Sequence, residues 1–277
     1  MCCFSAGRDV DLRVWGTRIF ARGLAEGRQA LVYQMGIAAD AALAMILPLP
    51  VVAHAADDAV EFVSLEGYAD FFADVQKLFP PPAAMGGFAP QSRAMAAPQK
   101  LVVHDVGKFE ASFVPSPKDF DRLDERFRMP TGVFDRLPHY RDWGFAVFQL
   151  KSFGAKGIVD KVKRALGKET KEEEVHPMAF TFPRRDPSAI FFPTVHVHDG
   201  EVHEKAHFDH TLYVQHDSNL SKDGWWAGMS PSQGRLDVTK SKGLLDAATP
   251  MQSLGLQGSL PNRDTWIRAG APIDAAA

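Results

Sequence analysis

Three apolar runs near the amino end decide the fold: Arg18-Ile19-Phe20-Ala21, Ala30-Leu31-Val32-Tyr33, and the run Ala44–Leu49. They are rich in β-branched and aromatic side chains, and Gly16, Gly23, Gly27 and Asp57-Asp58 interrupt these and the neighbouring runs. This rhythm is typical of strands joined by turns. Together with neighbouring runs, they predict a meander of about four or five strands within residues 10–63.

Helical and strand signals follow further along the chain. Six apolar side chains recur at helical spacing after Gly67 and before Pro80: Tyr68, Phe71, Phe72, Val75, Leu78 and Phe79. Ser116-Pro117 predicts the start of a second helix that buries Phe120, Leu123 and Phe127, and residues 143–150 predict a buried strand. Because helices do not alternate regularly with strands, the sequence predicts an α+β fold, a mainly antiparallel β sheet with a few packed helices.

A proline- and glycine-rich stretch gives the candidate domain boundary. Five prolines and two adjacent glycines lie within residues 80–98, a composition typical of a surface loop. The sequence therefore predicts an N-terminal β-rich segment with one helix over residues 1–79, a loop over 80–99, and an α+β segment over 100–277. Because strand signals lie on both sides of the loop, the two segments could also complete one sheet and form one continuous domain.

Composition and charge exclude several partners. The 277 residues carry a formal net charge of −3 and have a pI near 6.4, so the chain lacks the basic surface that nucleic acid requires. The longest apolar run, residues 41–53, contains two prolines and is shorter than the roughly 20 residues that span a bilayer. Charged side chains interrupt residues 1–11, where a secretory signal would be apolar. We therefore expect a cytoplasmic protein whose partner is a small molecule or a metal ion, and nothing indicates its oligomeric state.

Histidines cluster late in the chain. Six of the ten fall within 21 residues: His196, His198, His203, His207, His210 and His216. An alternating stretch, residues 194–198, precedes Asp199-Gly200, and alternation resumes over residues 201–203, which predicts a two-residue β-hairpin. In that hairpin His196 lies opposite His203, with Cβ atoms roughly 4.5–5.5 Å apart, close enough for both imidazoles to share one ion.

This histidine-rich β-hairpin predicts a transition-metal site. The candidate ligands are His196, His198, His203, His207 and His210, with the thiols of Cys2 and Cys3 as further ligands. Imidazole and thiolate together favour zinc or copper, and Asp209 or Glu201 could ligate the ion or orient a ligand. The alternative is an exposed polar face on which histidine is tolerated, and the spacing matches no known zinc motif.

The cysteines near the amino end allow a second chemistry. If Met1 is removed, Cys2 carries an amine and a thiol on one residue, the arrangement by which N-terminal-nucleophile hydrolases attack amides. The same atoms, with Cys3, could chelate a soft metal ion. The alternative is that both cysteines are incidental small hydrophobes.

Four stretches resemble the opening of an uncharacterised bacterial family that has a cysteine at its processed amino terminus: Cys2-Cys3-Phe4, Thr17-Arg18-Ile19-Phe20-Ala21-Arg22, Ala30-Leu31-Val32-Tyr33-Gln34-Met35 and Ala44-Met45-Ile46-Leu47-Pro48-Leu49-Pro50. The resemblance covers residues 2–65 and brings no catalytic assignment. This chain lacks the family's exported signal, its two glycines and its second, spaced cysteine.

A weaker similarity is to cysteine amidases that begin Met-Cys, with Arg18 or Arg22 in place of their arginine. Their Arg-x-x-Asp element is missing, because Gly23, Leu24 and Ala25 follow Arg22. The sequence thus predicts a cytoplasmic metal-binding protein. The alternative is an amidohydrolase with Cys2 as its catalytic nucleophile, so whether the protein is an enzyme stays open.

Overall fold

The computed structural model describes residues 2–4, 12–39, 44–79, 104–106, 109–123, 137–150, 173–174, 176–197 and 201–268. The first eight strands in these ranges are β1 (Cys2–Phe4), β2 (Leu12–Gly23), β3 (Arg28–Ala39), β4 (Ala44–Leu49), β5 (Glu61–Ser64), β6 (His104–Val106), β7 (Phe109–Val114) and β8 (Gly144–Leu150). The next eight are β9 (Glu173–Glu174), β10 (Met178–Pro183), β11 (Ala189–Phe192), β12 (His196–Val197), β13 (Lys205–Gln215), β14 (Trp226–Ala227), β15 (Met251–Pro261) and β16 (Thr265–Arg268).

These strands form two large sheets and one small one. The first large sheet has the order β12-β1-β4-β8-β7-β6. The second has the order β14-β15-β13-β2-β3-β10-β5, with β9 also paired to β3, and β11 pairs with β16 alone. The predicted strands at residues 44–49 and 143–150 are confirmed as β4 and β8, which are neighbours inside the first sheet.

The predicted α+β class is wrong, because strands make up 47% of the structure and helices, all of them short, only 14%. Its α-helix in these ranges is α1 (Phe71–Gln76), six residues inside the predicted helical stripe. The helix predicted to begin at Ser116-Pro117 is a 3-10 helix, Pro117–Arg122, where the Ser116 hydroxyl donates to Asp119 Oδ2 rather than accepting from the backbone. Phe127 lies outside the described residues. Short helical turns here pack onto sheets instead of forming a layer of their own.

The main core lies between the two large sheets, and a smaller core covers the outer face of the second sheet. Leu31 and Tyr33 of β3 point into the main core, whereas Val32 packs into the smaller one against Phe71 and Phe72 of α1. Because both faces of the second sheet are covered, its central strands are apolar on both faces. This packing explains the continuous apolar runs in the sequence.

Strands from before and after residues 80–99 mix in both large sheets. In the first sheet β4 pairs with β8, and in the second β2 pairs with β13. Residues 80–99 themselves lie outside the described residues, as do residues 151–172. In the described ranges, no helix has both the length and the apolar character needed to cross a membrane.

The β2–β13 pair positions the candidate site. These strands run parallel from Thr211 opposite Arg18 to Gln215 opposite Arg22. Before that segment β2 has a bulge, where its pairing with β3 shifts register between Trp15 and Arg18. Gly16 takes a φ of 60° there, which glycine adopts without strain. The amino-terminal parts of β2 and β13 therefore separate, and a cleft opens between them.

Candidate functional site

Histidines line the cleft where β2 and β13 separate. The cleft has a volume of about 350 Å³ and is lined by Val14, Thr17, His196, His203, Lys205, Ala206, His207, Asp209, His210 and Asn262. We call it the histidine cleft. The structure thus brings four of the predicted ligand residues around one cavity, although they come from two strands and a connecting segment.

Two of these imidazoles are in contact. His196 Nε2 lies 3.1 Å from His210 Nε2, and the ring centroids are 4.7 Å apart. Since two N–H groups cannot point at each other at this distance, one nitrogen donates and the other accepts. His210 is 1% exposed, whereas His196 is partly exposed to the cleft. The pair therefore spans the boundary between core and cavity.

The alternation of β13 explains why His210 is buried. Phe208, His210 and Leu212 are all buried, and the residues between them are more exposed. Phe208 also stacks against His196, with ring centroids 4.5 Å apart. An apolar ring beneath both imidazoles limits their rotamers, so the Nε2 contact is held by packing as well as by its hydrogen bond.

Asp209 lies at the bulge of β2, beside the histidine pair. Its Oδ2 accepts a 2.6 Å hydrogen bond from the Gly16 backbone N–H, and its Oδ1 lies 4.0 Å from His210 Nδ1. The 4.0 Å separation is longer than a hydrogen bond, so Asp209 is bonded to the bulge and not to the His210 ring. Its carboxylate acts on the histidine pair only through its nearby negative charge.

Asn262 fixes the backbone of His196. Its Oδ1 accepts from the His196 N–H at 2.7 Å, and its Nδ2 donates to the carbonyls of His196 at 2.9 Å and His203 at 3.0 Å. The side-chain amide thus acts as a strand partner for His196 and joins it to the segment that carries His203.

Asp264 holds the residues that precede His196. Its Oδ1 accepts from the backbone N–H groups of Thr194 and Val195, and its Oδ2 accepts from the Tyr140 hydroxyl at 2.5 Å. Asp264 is 8% exposed. The connection from β15 to β16 therefore holds His196 of β12 through Asn262 and the two residues before β12 through Asp264. The sequence alone did not predict a role for either residue.

The predicted pairing of His196 with His203 is replaced by another arrangement. β12 pairs in parallel with β1, with Cys2 opposite His196 and Cys3 opposite Val197, and residues 201–204 are not in a strand. The predicted turn and His198 lie outside the described residues. Cys2 and Cys3 are described only through the backbone pairing of β1 with β12 and β4, so their predicted thiol chemistry stays a prediction.

The remaining histidines of the cluster lie in two different cavities. His203 and His207 are exposed at the cleft, and His216 lies in a different cavity beyond the end of β13. Among the residues that the structure describes, no group of three or more His, Cys, Asp or Glu has metal-holding geometry. The geometry thus consists of one close imidazole pair with two further histidines nearby.

The chain matches no protein-family model and no curated protein. Among solved structures, it is similar to the crystal structure of baculovirus p35, with a TM-score of 0.47 and 11% identity over 93% of this chain and 97% of that chain. The caspase-8/p35 complex gives a TM-score of 0.42 and 10% identity, over 92% of this chain and 96% of that chain. A likeness of this size supports no functional assignment.

Proposed function

We propose that this protein binds a transition-metal ion, zinc or copper, through His196 Nε2 and His210 Nε2. The 3.1 Å separation of these two nitrogens carries the proposal. Two imidazole ligands of a tetrahedral zinc ion, each about 2.0–2.1 Å from the metal, have their nitrogens about 3.4 Å apart. A change of a few tenths of an ångström would therefore admit an ion between the rings.

The surroundings of the pair suit ligation. In the metal-bound form both Nε2 atoms present lone pairs, so each imidazole carries its proton on Nδ1. For His210 this nitrogen lies 4.0 Å from Asp209 Oδ1, beyond hydrogen-bond distance, so the carboxylate adds only a nearby negative charge that favours a bound cation. Phe208 supports the rings from below, and an apolar support of this kind limits competition from water.

Further ligands would come from the cleft or from solvent. His203 and His207 are exposed at the cavity, and a side-chain rotation of either one could complete a three-histidine set. Three protein ligands and a water molecule are typical of a zinc ion that retains an open position. The thiols of Cys2 and Cys3 stay in the proposal as additional ligands, since β1 is the neighbour of β12.

Metal content measured on protein purified without a metal-affinity tag tests this proposal. We expect close to one equivalent of zinc or copper by elemental analysis, or saturable uptake of one equivalent by the apoprotein in titration calorimetry. His196→Ala and His210→Ala should each weaken binding by at least about tenfold, because each removes one ligand. His216→Ala is the matched control, since His216 lies outside the histidine cleft.

The outcome separates metal binding from a purely structural histidine pair. If wild type and the double variant His196→Ala/His210→Ala take up metal equally, the assignment is rejected. If the wild-type protein binds no zinc or copper at all, the pair is a hydrogen-bonded contact within the core. The far-ultraviolet circular dichroism of each variant shows whether the sheets remain intact.

A further inference from the structure

A second polar cavity lies at the opposite end of the β2–β13 pair, where both parallel strands end. It has a volume of about 420 Å³ and is bordered by Arg22, Arg184 and His216 together with Asp217 and Asp246. In the pairing register, Arg22 of β2 lies opposite Gln215 of β13. The five residues from His210 to Gln215 place this cavity roughly 16 Å along the strand from the histidine pair.

The two arginines are held by carbonyl groups rather than by carboxylates. Arg22 Nη2 donates to the Gly243 carbonyl, while Arg184 donates through Nε to Gly27 and through Nη1 to Ala189. Neither guanidinium has a carboxylate of the described residues within 4.0 Å. A carbonyl satisfies an N–H group but does not neutralise the charge, so both arginines keep their full positive charge beside the cavity.

One guanidinium nitrogen of Arg22, Nη1, is buried and has no hydrogen-bond acceptor in the part of the chain that the structure describes. Burial lowers the pKa of the guanidinium, and the charge of Asp246 opposes this shift only in part. Burial likewise lowers the pKa of Arg184, and the charge of Asp186 opposes this shift in part. Partly desolvated cations without a carboxylate in direct contact are stabilised when an anion binds to them.

Of the other titratable groups at the cavity, His216 offers a hydrogen-bond donor to an anion, whereas Asp217 and Asp246 carry negative charge. His216 Nδ1 accepts from the Ser218 N–H, so its neutral ring carries the proton on Nε2 as a third donor. Asp246 opposes anion binding, although its Oδ1 already accepts from Ala248 N, Thr249 N and Thr249 Oγ1. Asp217 is exposed to solvent. The donors from β2, from the segment after β10 and from the end of β13 thus converge on one cavity.

We propose that this cavity binds the oxyanion of a small ligand, a phosphoryl or carboxylate group, between the guanidinium groups of Arg22 and Arg184. Guanidinium groups match such anions because their N–H groups form a planar fork. The site is separate from the histidine cleft, and its occupancy does not depend on a metal ion.

Gly23 offers a test that leaves both arginines in place. A Cβ built on Gly23 would lie 3.5 Å from Arg184 Nη2 and 3.6 Å from Nη1, in ordinary contact, and Gly23 is exposed. In Gly23→Asp the new carboxylate would therefore pair with Arg184 and take the place of the anion. Gly23→Asn has nearly the same shape without the charge and is the matched control.

Inorganic phosphate and malonate serve as the probes, each titrated at constant ionic strength and followed by thermal unfolding and calorimetry. We expect saturable binding of at least one probe to the wild-type protein. The affinity should fall at least about tenfold in Arg184→Gln, Arg22→Gln and Gly23→Asp, because each removes or neutralises one charged donor. Gly23→Asn and the exposed Arg141→Gln should keep the wild-type affinity.

The pattern of responses decides the outcome. Preference for phosphate assigns a phosphoryl ligand, and preference for malonate assigns a carboxylate ligand. If neither probe binds saturably, or if Gly23→Asp binds as tightly as Gly23→Asn, the proposal is overturned. Should Arg22→Gln fail to fold, the two Gly23 variants still give the answer, since their backbone lies at an exposed strand end.

Discussion

Replacing Asn262 with alanine tests how the histidine cleft is held together. The Asn262 amide makes three hydrogen bonds, two to the backbone of His196 and one to the carbonyl of His203. A typical hydrogen bond contributes about 0.5–1.5 kcal/mol net. Because Asn262 is only partly buried, water would replace some of these bonds, and we expect Asn262→Ala to lower the free energy of unfolding by about 2 kcal/mol.

The same substitution should weaken metal binding, because it loosens the backbone of a proposed ligand. Loss of an outer partner of a metal ligand typically costs 10–100-fold in affinity, and we expect a weakening of about tenfold for Asn262→Ala. Urea unfolding of the apoprotein and calorimetric titration with zinc measure the two effects separately. Asn219→Ala is the control, since Asn219 caps an exposed turn outside the cleft.

A free energy of unfolding for Asn262→Ala within about 0.5 kcal/mol of the wild-type value, together with an unchanged zinc affinity, would contradict this role of Asn262. Such a result would mean that β1 alone holds His196 in place. A large loss of stability with unchanged zinc affinity would make Asn262 a structural residue without influence on the site.

Two further predictions concern stability away from the cleft. Gly36→Ala should lower the free energy of unfolding, measured with urea, by about 1–3 kcal/mol, because a Cβ there would overlap the ring of Trp15. Gly255→Ala is the control and should leave that free energy nearly unchanged, since a Cβ there would meet open space. Hydrogen bonds from Thr239 lower the pKa of the Asp237 carboxyl group in the folded state. The ionised carboxylate therefore stabilises the folded protein at pH values above the pKa of an unfolded aspartate, near 3.9, and this stabilisation is lost as the pH falls below that value. Asp237→Asn should therefore reduce the slope of stability against pH below about 4, and an unchanged slope in acid titration followed by circular dichroism would contradict this.

Local patterns predicted individual strands well. β4 and β8 are continuous apolar runs, and burial on both faces of a sheet leaves that signature in the sequence. The helical stripe at residues 68–79 was located correctly, but only six of its residues form an α-helix. Its aromatic side chains stack on the second sheet through Phe20 and Tyr213, and a short turn is enough to place them there.

Pairing between distant segments could not be predicted. The Asp199-Gly200 signal favoured a hairpin, whereas β12 pairs with β1 from the other end of the chain. No local pattern encodes a contact across such a sequence separation. The contact between His196 and His210 arises in the same way, from the meeting of two elements.

One signal at the site was available in the sequence. Phe208, His210 and Leu212 alternate with polar residues, so they share one face of a strand, and that face is apolar apart from the histidine. This pattern distinguishes the buried His210 from the exposed His207. The role of Asn262 could not be found this way, because it depends on a connection that follows β15.

Anomalous diffraction at the zinc absorption edge, from crystals grown with zinc, shows directly whether a metal ion binds between His196 and His210. We expect an anomalous peak between His196 Nε2 and His210 Nε2, about 2.0–2.1 Å from each nitrogen, with water or one of the exposed histidines completing the coordination. A map with no peak there, in which the two nitrogens stay 3.1 Å apart as a hydrogen-bonded pair, would contradict the metal-binding function.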